Sequence, residues 1–160
     1  METETIMEIA NHEYYVSLEV AKLLKETGFD WEIMSFYTND ITEGCKSEYE
    51  LRLVKFDNWN GKNKSWCDLV SCPTIEIAQR WLREVKGIYI GITAIENKRA
   101  VTNSDGWTFH YEYGKPTFDC DIKDERCEDM CTLYDSFDTY EEAQEAGIKK
   151  ALEMILEKGK

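Results

Sequence analysis

Residues 71–96 read SCPTIEIAQRWLREVKGIYIGITAIE, which sets a helix start, an amphipathic helix, a stop and a strand in one unbroken run. Pro73 has no amide hydrogen to donate, and the Thr74 hydroxyl is suited to cap the first free N–H groups, so a helix is expected from about Thr74. Ile77, Ala78, Trp81, Leu82 and Val85 then fall on one helical face, with Glu76, Gln79, Arg80, Arg83 and Glu84 on the other. Glu76 suits the positive end of the helix dipole and Lys86 the negative end. Gly87 is the residue type that most readily turns left-handed after a last turn, so the helix should stop there. Ile88, Ile90, Ile92 and Ala94 alternate with Tyr89, Gly91, Thr93 and Ile95, which predicts a strand covered on at least one face.

Working outward, Ser17 caps an expected helix over 17–27, with Leu18, Val20, Ala21, Leu23 and Leu24 on the buried side and Gly28 as its stop. Residues 31–37 and 48–56 read as strands joined by a long connection. Residues 57–71, DNWNGKNKSWCDLVS, read as a polar connection in which Trp59 and Trp66 either fold back onto the body or form an interface. The clearest half-buried strand is 107–113, where Trp107, Phe109, Tyr111 and Tyr113 alternate with Thr108, His110 and Glu112. Shorter strands are expected at 117–122 and 133–134. Asp138 or Thr139 then caps a long helix whose buried stripe is Tyr140, Ala143, Gly147, Ile148, Ala151, Leu152 and Ile155. Gly147 costs a helix interior about 1 kcal/mol relative to Ala, which points to a close approach by a neighbouring element. The order of elements predicts an α+β fold, an antiparallel or mixed sheet of about 4–6 strands with three helices packed mainly on one face.

The chain has 160 residues and is 42% hydrophobic, enough for one core and short for two, so residues 1–160 are expected to form a single domain with 1–14 loosely held. METETIMEIA carries acids where an export signal needs positive charge, and no apolar run approaches the roughly 18 residues of a membrane span. A cytoplasmic protein is expected, and its six cysteines are expected as reduced thiols. A net charge of −13 argues against direct nucleic-acid binding and against anionic membranes as partners.

The segments VSLEVAKLLKETGFD (16–30), CPTIEIAQRWLREVKGIYI (72–90) and DTYEEAQEAGIKKALEMI (138–155) together resemble a family of small uncharacterised proteins of gut anaerobic bacteria and their phages or prophages. The resemblance covers the three helices and their entries, while the hairpin regions depart from it. It implies a phage or mobile-element setting and supplies no catalytic residues.

Candidate chemistry is sparse. Cys45, Cys67, Cys72, Cys120, Cys127 and Cys131 do not repeat the C-x2-C knuckle of zinc sites, so no metal and no other cofactor is assigned. His12 and His110 are the only histidines. A thiol-dependent enzyme or small hydrolase would therefore pair a cysteine such as Cys120 with His110, and this is the alternative reading. Phosphate-binding, dinucleotide and hydrolase motifs are absent, and in the stretch from Asp119 the sixth position of a calcium loop is Asp124 and the twelfth is Met130. No catalytic residues are assigned.

What stands out is the distribution of acids. Residues 119–145 hold eleven acids against Lys123 and Arg126, a net of −9 out of −13, which leaves −4 for the other 133 residues. Such a run reads either as a solvated loop with a helix N-terminus or as a docking surface for a basic patch. The functional expectation is a non-enzymatic interaction protein, monomeric or homodimeric, that binds a basic protein partner through Asp119, Asp121, Asp124, Glu125, Glu128 and Asp129 together with Trp59 and Trp66. Arg80 and Arg83, on the outer face of the central helix, have no assigned role.

Overall fold

Both early helices start on the hydroxyl predicted for them. In the computed structural model, which describes residues 14–40, 48–62, 67–96, 107–114, 131–132 and 137–159, helix α1 is Leu18–Glu26 and the Val20 amide donates to Ser17 Oγ at 3.4 Å. Helix α2 is Ile75–Trp81, and the Ile77 amide donates to Thr74 Oγ1 at 3.3 Å. Gly28 and Gly87, at φ 91° and 66°, end their helical segments in the left-handed region open to glycine. The expected single helix through Lys86 is corrected in its last part. Leu82–Lys86 widens into a π-helical turn, which carries Val85 off the buried stripe and leaves it half exposed, while Ile75 takes a core place instead.

The strands are β1 Ile33–Asp40, β2 Glu50–Asp57, β3 Cys67–Ser71, β4 Tyr89–Glu96, β5 Trp107–Gly114 and β6 Cys131–Thr132. The fold is α+β, and among the described residues all sheet pairing is antiparallel. The strands divide between two three-stranded sheets, in the orders β2-β1-β3 and β4-β5-β6, where a single sheet was expected. The third strand of the first sheet, β3, lies inside the stretch expected to be a polar connection. Leu69 and Val70 are buried on opposite faces of it, so the segment lacks the one-sided alternation that marks a surface strand. The strand expected at 117–122 and the one at 133–134 lie outside the described residues.

Antiparallel pairing of both β2 and β3 with β1 makes those two strands parallel to each other, so residues 58–66 connect opposite ends of the sheet across β1. A short 3-10 turn, Trp59–Gly61, begins this crossing. The second sheet is a meander with full register from Tyr89↔Gly114 to Glu96↔Trp107. Ile90, opposite Tyr113, is buried, whereas Tyr89, Gly91 and Thr93 on the other face are exposed.

Helix α3, Tyr140–Lys158, is capped by Thr139, whose Oγ1 accepts the Glu142 amide at 3.2 Å. It packs on β4 and β5 and also touches α1 and α2, while α1 packs on β3. The close approach predicted at Gly147 is present. A Cβ there would lie 2.9 Å from Ile90 Cγ2 and 3.1 Å from Tyr111 Cβ, so only glycine fits without displacement. Of the predicted α3 stripe, Tyr140 is nearly half exposed, and Gln144 is buried alongside the apolar residues. One contiguous core joins Val20 and Leu24 of α1, Tyr37 and Val70 of the first sheet, Trp81 of α2, Ile90 and Tyr111 of the second sheet, and Ile148 and Leu152 of α3.

Two sheet edges are plugged by side chains. Lys25 of α1 donates to the Leu69 carbonyl at 2.9 Å, and Gln79 of α2 donates to the Ile90 carbonyl at 2.7 Å. The Gln79 Oε1 in turn accepts from Gln144, so α2, α3 and β4 share one amide chain. Each contact satisfies one outward carbonyl of an edge strand and so interrupts the open hydrogen-bonding row at that point.

Candidate functional site, an acidic groove between two helices

The start of α1, which packs on the first sheet, lies against the N-terminal half of α3, which packs on the second. Each helix begins with acids because negative charge is favoured beside the free N–H groups there: Glu19 in α1, Glu141 and Glu142 in α3. One turn further along α3, Glu145 Oε1 accepts the Ser17 backbone amide at 2.7 Å, fixing α3 against the entry to α1. Lys149 Nζ lies 2.8 Å from Glu19 Oε1 and forms a second tie. That hydrogen bond raises the Lys149 pKa above the usual lysine range, against the opposing effect of desolvation. Between these ties is an open groove of about 390 Å³ with Val20, Phe137 and Ala146 as apolar lining and Glu19, Glu142, Glu145 and Lys149 as charged lining. Three carboxylates against one ammonium favour a cation, and the apolar residues favour contact with an aliphatic stem.

Beneath the groove the chain is tightly bound. Val16 donates its amide to the Pro73 carbonyl at 3.1 Å, and its own carbonyl accepts from Tyr37 Oη at 3.1 Å and from Cys72 Sγ at 3.4 Å. Burial pushes the Cys72 thiol up to about 12, and the Glu145 charge adds to the rise despite the opposing hydrogen bond with Tyr37. Burial, together with Cys72, raises Tyr37 as well. A thiol in this state is a poor nucleophile near neutral pH.

The predicted site residues separate. Asp119, Asp121, Asp124, Glu125, Glu128, Asp129 and Trp66 lie outside the described residues. Trp59 is described, and its assignment to a partner surface is corrected. It is buried, stacks on Phe36 with ring centroids 4.2 Å apart, and donates from Nε1 to the Ile33 carbonyl at 2.9 Å. The cause is topological, since the connection that crosses β1 needs an apolar residue to seal the sheet face it passes over. Next to it, Asn60 accepts the Ser71 amide at 2.9 Å and donates to the Phe29 carbonyl at 2.9 Å.

The alternative pairing of a cysteine with His110 gains no support. His110 stands opposite Thr93 in the β4–β5 register, Cys120 lies outside the described residues, and the described thiols of Cys67 and Cys72 are free but buried. Arg80 acquires a place, donating from Nε to Glu84 at 2.7 Å and lying 5.7 Å from the centre of the Trp31 ring. Among the described residues no group of three or more His, Cys, Asp or Glu is arranged to hold a metal ion, and no helix is long and apolar enough to cross a membrane.

Sequence reasoning missed the meeting of Glu19 with Glu142 and Glu145. Each acid is explained locally by its own helix start, and no pattern along the chain announces that the two starts are neighbours. No family model matches the chain, and no curated protein and no solved structure shows significant similarity to it.

Proposed function

We propose that this chain is a non-enzymatic interaction protein that binds a basic protein partner through an acidic face. The observation that carries the reading is the groove between α1 and α3, where Glu19, Glu142 and Glu145 surround apolar lining. Glu142 and Glu145 are the C-terminal end of the acid-rich stretch 119–145, so the groove is lined by part of the charge concentrated in that stretch. Complementary charge of this kind steers association and selects against acidic partners. A phage or mobile-element setting in the cytoplasm, implied by the resemblance of the three helical segments and by the composition, fits a small accessory protein of this type.

Charge reversal tests the reading. Glu142 is suitable because only its backbone amide is used in the helix cap, and Glu19 because its side chain is two-thirds exposed and its tie to Lys149 is a surface ion pair worth less than about 1 kcal/mol. Glu19→Lys/Glu142→Lys is expected to leave the circular dichroism spectrum unchanged and to weaken binding to a lysine- and arginine-rich peptide at least tenfold. Equal affinity in the two proteins would overturn the assignment of surface.

A further inference from the structure

We draw no further inference here: the strongest candidate, the exposed apolar patch of Met34, Leu53, Val54 and Phe56 where β2 bulges at the outer edge of the first sheet, carries nothing because nothing in the structure shows what covers it.

Discussion

The two sheets are built from the same order of elements, a helix followed by three strands, and they solve the connection problem differently. In the first, the central strand comes first in the chain, so the path from β2 to β3 must cross over β1. That crossing recruits specific side chains: Trp59 onto Phe36, and Asn60 between Phe29 and Ser71. In the second, the central strand comes second and the strands simply meander. No described crossing segment lies on that sheet, and it is held by the close approach of α3 at Gly147. Equal element order therefore does not imply equal anchoring. In the first sheet the crossing segment itself supplies the aromatic stack and the polar staples, whereas in the second the aromatic contacts and the Gln79 staple are joined by a helix seated close enough that Gly147 has no room for a side chain.

The most disruptive way to break this comparison is Trp59→Ala. It removes a buried aromatic side chain and leaves the Ile33 carbonyl without its donor. A loss of about 3–5 kcal/mol is expected from urea unfolding. A loss under about 1 kcal/mol, the size of a surface change, would show that the crossing does not anchor the first sheet.

Asn60→Ala tests the polar half of the same anchor. It strands the Ser71 amide, which belongs to a fully buried residue, and should cost about 1–3 kcal/mol by the same measurement. For the second sheet the matching change is Gly147→Val. Its added carbons collide with Ile90 and Tyr111, for an expected loss of about 1–3 kcal/mol. A valine variant as stable as the parent would mean that α3 does not sit this close to β4 and β5.

The smallest expected effect concerns Asp68 on β3. Partial burial acts to raise its pKa, but hydrogen bonds from Lys25 and Tyr49, at 2.8 Å each, hold the carboxyl below the usual range. A carboxylate whose pKa is lower in the folded state contributes stability above its unfolded value of about 3.9, and that contribution is lost as pH falls through the folded value. The pair is partly exposed, so the contribution should be below about 1 kcal/mol. In Asp68→Asn, the slope of stability against pH below about 4 should be shallower than in the parent. An identical slope would remove Asp68 from the account of the first sheet.

What the sequence makes legible is what is local. Ser17, Thr74 and Thr139 act within three residues of the groups they cap, and Gly28 and Gly87 act at their own φ angles, so each can be read in isolation. Gly147 is readable because an unfavourable residue in a strong helix needs a steric reason. The division into two sheets is not readable in this way. Nothing local marks where one sheet ends and the other begins, and the first sheet is completed only by β3, which is short, buried on both faces and paired with β1 across some thirty residues. The place of Trp59 follows from that same pairing. The charged half of the candidate site is visible as composition, but the neighbourhood of Glu19 and Glu145 is created only when α3 docks against α1.

The seam between the unequal halves is where the functional claim rests, and its most direct test is affinity capture from the organism that encodes the chain. Parent and Glu19→Lys/Glu142→Lys proteins would be compared at low and at high salt, with the captured proteins identified and quantified. One stoichiometric partner with a basic surface is expected, lost on charge reversal and weakened by salt as exposed charge pairs are screened. An unchanged yield of the same partner from the reversed protein, or no stoichiometric partner at all, would contradict it.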